Sequence, residues 1–144
     1  MENEVKLLSV FAENKPGFLA KATKVLGDAK INIFWFKIID AEGDKFGLIR
    51  FLVDRREEAI QSLKAAGFAV STVPVIAIDA ENTPGTLAKL ADTLYKLDIN
   101  VRNGSGYYLN GRVVLMIETN QIQVTAKALR EKGYKILSEK EIAE

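Results

Sequence analysis

From Val5 to Phe11 branched and apolar residues crowd together, and the turn-forming Asn14-Lys15-Pro16-Gly17 closes the run, which predicts a first strand. From Phe18 the apolar positions change period. Phe18, Ala22, Val25, Leu26 and Ala29 recur at three- and four-residue spacings while Lys21, Lys24 and Asp28 fall elsewhere, the stripe of an amphipathic helix. Ile31 to Ile39 and Phe46 to Val53 read as strands about a hairpin turn at Glu42-Gly43-Asp44. Asp54 is a candidate N-cap for a helix with Ala59, Leu63 and Ala66 inward, and Gly67 ends it before a strand from Phe68 to Thr72. The order is strand, helix, strand, strand, helix, strand.

The same order returns. Predicted strands run from Val75 to Asp79, Ile99 to Tyr108, Arg112 to Thr119 and Tyr134 to Ser138, with helices from about Pro84 to Leu97 and from near Asn120. Residues 14–33 align with residues 82–101 at nine of twenty positions, including Pro16-Gly17 with Pro84-Gly85, and Ile31-Asn32 with Ile99-Asn100. Further on, Asp54, Leu63 and Gly67 pair with Asn120, Leu129 and Gly133 at an offset two residues shorter. Such length variation belongs in an exposed loop, here the Gly43 or Gly111 turn. The expected organisation is therefore two tandem units, residues 1–73 and 74–144. Right-handed crossovers place both helices of each βαββαβ unit on one face of an antiparallel sheet, an α+β, ferredoxin-like arrangement.

Strand patterning also raises the question of a partner. Ile31-Asn32-Ile33-Phe34-Trp35-Phe36 sends large apolar groups to both faces, so both should be covered. At roughly 1.5–3 kcal/mol per buried aromatic, the cover is the other half, a second copy of the chain, or both. We favour a homodimer. The matching stretch of the second half, Asn103-Gly104-Ser105, is small and polar, so the two halves differ in role. Its glycines suit either a bulge in a weak strand or the close approach of another backbone or ligand, which would let this stretch line a pocket.

Composition narrows the chemistry. Cysteine and histidine are absent, which removes disulfides, thiolate nucleophiles, imidazole bases and nearly every nitrogen- or sulfur-ligated metal site. Twenty basic against nineteen acidic residues leave a net charge of +1, a weak field for phosphates or anionic lipid. No nucleic-acid partner is expected, because Phe34, Trp35 and Phe36 lack the basic surroundings of RNA-binding sheets. The acidic start and the lack of an apolar run near eighteen residues lead us to expect no membrane partner and a cytoplasmic location. Asp40, Glu42 and Asp44 gather at a turn, where a solvated hairpin tip accounts for them. We expect no enzyme, no metal and no cofactor.

The repeated Asn-x-Pro-Gly supports two readings. In one it only starts helices: proline presets φ, glycine permits a tight turn, and asparagine bonds nearby backbone. In the other, first-turn amides without helical partners face an anion, glycine lets a small ligand approach, and the asparagine amide meets the head group of a free amino acid. Arg50 is a further candidate for a ligand carboxylate, against a solvent-facing role.

With these loops, the two Ile-Asn strand openings and two complete βαββαβ patterns, nearly the whole chain resembles a tandem pair of ACT domains, small regulatory modules that bind amino acids. The resemblance implies ligands between ACT units, touched by the loop before the first helix and by the strand after it. It designates Asn14, Gly17, Phe18 and Leu19 with Asn82, Gly85, Thr86 and Leu87 as loop contacts, and Asn32 and Asn100 as strand contacts. A stand-alone amino-acid sensor signalling through its oligomeric state, or through an enzyme or regulator partner, is the leading expectation. A ligand-free interaction module is the alternative.

Overall fold

The pleat of Val5–Glu13, the first strand β1, turns Leu8, Val10 and Ala12 towards the helices, and the run Leu7 to Val10 is buried on both faces. The computed structural model describes residues 4–13, 16–40 and 46–143. After β1 come α1 (Phe18–Asp28), β2 (Ile33–Asp40), β3 (Phe46–Val53), α2 (Arg56–Ala65) and β4 (Val70–Glu81). There follow α3 (Thr86–Lys96), β5 (Asn103–Leu109), β6 (Arg112–Glu118), α4 (Ile122–Glu131), β7 (Lys135–Leu137) and α5 (Glu139–Ala143). Asn14 and the Glu42-Gly43-Asp44 turn lie outside the described residues.

Contacts divide the chain into two compact units, Lys6–Val73 and the chain from Pro74 onward with Val5. In the first the strand order is β2-β3-β1, with β4 beside β1, and just ahead of β4 the Ala69 carbonyl accepts from the Phe11 amide at 3.0 Å. In the second it is β5-β6-β4, with β7 on the other side of β4. The pairings β1/β3, β2/β3, β4/β6, β4/β7 and β5/β6 are antiparallel. Leu26 of α1 and Leu63 of α2 pack on Leu8 and Phe51, and Leu94 of α3 and Leu129 of α4 pack on Ile76 and Ile117. Each buried leucine is worth about 1.5–3 kcal/mol, which holds the helices to one face of each sheet. These are two ferredoxin-like βαββαβ units.

Several elements depart from the sequence expectation. The strands expected on either side of Pro74 are one strand, β4; Pro74 has no N–H to give a ladder, and ladder pairing with β6 begins at Ile76. Asp54 does not cap α2. Its carboxylate accepts from the Asn32 backbone amide at 3.0 Å and from the Asn32 side-chain amide at 3.2 Å, and Arg55 stands at the N-cap of α2 without a side-chain capping bond. The strand expected from Ile31 opens only at Ile33, because Asn32 is spent on that bridge. Phe34, Phe36 and Ile38 are exposed within this single chain, so the expected cover on both faces of β2 is not supplied there. Arg50 is half-buried, across from Ser9 and Lys37, and not solvent-facing. Gly67 ends α2 as its position predicted: the Phe68 amide donates to the Leu63 carbonyl and the Gly67 amide to the Lys64 carbonyl, both at 3.0 Å.

Candidate functional site

Both strand-to-helix corners have the same construction. Gly17 precedes α1 with φ 92° and ψ −10°, and Gly85 precedes α3 with φ 88° and ψ −5°, a left-handed conformation that a side chain would resist. A glycine N-cap has no oxygen to offer, and neither helix has a side-chain cap bond. The first helical donors are the Lys21 amide to the Gly17 carbonyl and the Lys89 amide to the Gly85 carbonyl, each 3.0 Å. Ahead of Lys89 the Thr86 amide meets the Thr83 carbonyl at 3.3 Å, which leaves the Leu87 and Ala88 amides as first-turn donors beyond the helical ladder.

The candidate residues do not share one environment. Gly17 and Leu19 are exposed, whereas Phe18 is half-buried and joins the first core through an edge-to-face contact with Phe68, centroids 5.4 Å apart at 83°. Asn32 is exposed but tied to Asp54. Asn82 and Asn100 are exposed, and Asn100 lies before β5 instead of within it. Gly85 and Thr86 line a groove of about 450 Å³, and Leu87 lines a separate cavity of about 620 Å³. Asn14 is outside the described residues.

The groove at Gly85 carries both signs of charge. Asp79 and Glu81 come from β4, Arg112 from β6, Lys135 from β7 and Lys89 from α3. Arg112 Nε donates to Asp79 Oδ1 at 2.9 Å, and this hydrogen bond, with the carboxylate's charge, holds the guanidinium pKa above its usual value. The Thr83 and Thr86 hydroxyls meet at 2.8 Å at its rim. An arrangement with fixed cations, a carboxylate and open backbone donors suits a small zwitterion better than a simple anion.

The second cavity was visible to sequence reasoning only as the Gly104-Ser105-Gly106 run. Those three residues line it with Leu87, Leu90 and Val101 among others. Leu115 and Ile117 belong to the helix-side core, and they sit opposite Gly106 and Gly104 in register. At Gly104 the missing side chain leaves space between β5 and α3, whereas at Gly106 the Leu115 Cδ2 atom stands 2.9 Å from where a Cβ would be. Among the described residues no cluster of acidic side chains is arranged to hold a metal ion, and no helix is long and apolar enough to cross a membrane.

Comparison with known proteins fits this architecture. No curated protein sequence matches the chain. Among solved structures, it is similar to protein BT0572 from Bacteroides thetaiotaomicron, with a TM-score of 0.91 and 30% identity over 98% of this chain and 96% of that one. It also resembles the ligand-free regulatory subunit of aspartate kinase from Thermus thermophilus, TM-score 0.61 and 15% identity, covering 91% of this chain and 93% of that one. The regulatory subunit of aspartate kinase from Thermus flavus gives 0.61 and 14% over the same shares. At those identities the aspartate kinase subunits speak to the fold alone. A family profile described as an ACT domain pair matches residues 3–144. With two βαββαβ units, twin Pro-Gly corners and a family match across almost its whole length, the chain belongs to the ACT domain pair family.

Proposed function

We propose that this protein is a non-catalytic, cytoplasmic regulator that binds a free amino acid and passes the signal on through its oligomeric state or to an enzyme or regulator partner. The observation that carries the reading is the doubled helix entrance, in which a left-handed glycine stands at each N-cap without a side-chain cap bond and, at α3, the Leu87 and Ala88 amides are left for an outside acceptor. A carboxylate at such a corner gains from the oriented amides, and the mixed charges beside Gly85 provide for an ammonium group as well. A ligand that prefers one assembly state shifts the population towards it by mass action.

The interaction-module reading has its own support in the exposed Phe34, Phe36 and Ile38 on β2, a surface suited to a protein partner. Calorimetry of the full chain against the twenty amino acids separates the two. Binding by at least one, with affinity lost in Asn14→Ala or Asn82→Ala and little change in melting temperature, is the expected result. Absence of binding by all of them at millimolar concentration would leave the interaction module.

A further inference from the structure

The two units place different side chains at equivalent points of their edge strands. In the first, Phe36 lies opposite Phe51 and Ile38 opposite Ile49. In the second, Gly104 lies opposite Ile117 and Gly106 opposite Leu115. Phe51 and Ile49 correspond to Ile117 and Leu115 at the repeat offset, and all four belong to helix-side cores. Where the first unit carries a phenylalanine and an isoleucine the second carries glycines, and while Leu115 Cδ2 leans to 2.9 Å from where a Gly106 Cβ would stand, Gly104 has only ordinary contacts and leaves its side-chain space open. What results is the cavity of about 620 Å³ between α3 and β5, a size that falls among small-molecule sites of roughly 300–1,000 Å³.

Its lining is selective. Leucines, isoleucines and a valine supply most of the walls, Ser105 and Tyr95 are the lining residues that carry a polar side-chain group, and no charged residue takes part. A charged ligand group entering it would lose water without gaining a counter-ion, whereas an aliphatic or aromatic group gains the burial. The cavity also adjoins the ligand candidates in the chain: Leu87 follows Thr86, Val101 follows Asn100, and both Leu87 and Val101 line it. The Leu87 amide is itself a first-turn donor of α3.

We infer that the cavity receives the side chain of the bound amino acid, so that the chain selects a free α-amino acid with a large aliphatic or aromatic side chain. This rests on the amino-acid reading above and adds the ligand class to it. The continuity with Leu87 and Val101 favours this occupant over a second copy of the chain, whose seating here is an outcome of the test.

Gly104 offers a direct probe. A Cβ built there meets Val101 Cγ1 at 3.7 Å, an ordinary contact, and Gly104→Phe restores the residue type that the first unit carries. Ala91→Leu fills the same cavity from α3. Calorimetry on the full chain is expected to detect leucine, isoleucine, valine, methionine or phenylalanine, but not aspartate, glutamate, lysine or arginine. Each variant should weaken that binding by about tenfold or more, roughly the effect of 1.4 kcal/mol, with an unchanged circular dichroism spectrum. If charged amino acids bind instead, or both folded variants bind as tightly as the parent, the inference fails while the sensor reading stands. If no amino acid binds, both fail. If none binds and Gly104→Phe dissociates a dimer seen by sedimentation, the cavity is the seat of a second copy and the inference is overturned.

Discussion

At Gly17, Gly85 and Gly27 one residue type does opposite things, and the backbone decides which. Gly17 and Gly85 have φ near 90°, where a Cβ is strained even though nothing lies within 4 Å of it. Gly27 sits inside α1 with ordinary helical geometry and equally open space. Alanine at either corner is expected to cost about 1–2 kcal/mol, while Gly27→Ala should stabilise by about 0.4–1 kcal/mol by restricting the unfolded chain. Urea unfolding of the three variants measures both signs. A corner variant as stable as the parent would mean that the left-handed turn is not required.

At the scale of elements, what could be read in advance depended on whether the signal was local. Periodicity at Phe18, Ala22 and Leu26 marked a helix because a single face meets the core. The repeat exposed both Pro-Gly corners for the same reason. The ends failed where a side chain had two uses: Asp54 looked like a cap, yet its partner is Asn32, twenty-two residues earlier and invisible to local pattern. The cavity required knowing that Gly104 and Gly106 face α3, which only the pairing register supplies. The short helix α5 was legible and missed, since Ser138 and Glu141 have the spacing of a capping box.

That box makes a pH-dependent element. The Glu141 amide donates to Ser138 Oγ at 3.2 Å and the Ser138 amide to Glu141 Oε1 at 3.1 Å. The Ser138 backbone amide, then its hydroxyl, and more weakly Lys135 hold the Glu141 carboxyl below its usual pKa. Because the folded value lies under the unfolded one, this contribution is complete above the ordinary carboxylate range and fades as pH falls through the folded value. The α5 amides should lose exchange protection in acid before those of β4 do. In Glu141→Gln that early acid step should disappear, because the amide still accepts the bond and does not titrate there; hydrogen exchange followed by NMR reads both proteins. An unchanged acid step would place the titrating group elsewhere.

For the whole molecule, the edge of β2 is the surface that invites a partner. Phe36 and Ile38 are 55% and 53% exposed, and an edge strand with a row of apolar groups is a template for association unless something covers it. A chain with net charge +1 has little self-repulsion to oppose pairing. We propose that two copies of the chain associate through this edge. Sedimentation of the parent should then give twice the chain mass, and the double variant Phe36→Lys, Ile38→Lys should give the single-chain mass, since like charges would face one another across the contact. Both side chains already stand largely in water, so the thermal stability of the dissociated variant should fall only by what dimerisation contributed, which dilution of the parent measures independently. A double variant that keeps the parent's mass would move the interface away from β2, and a parent that sediments as a single chain would leave that edge for a different protein partner.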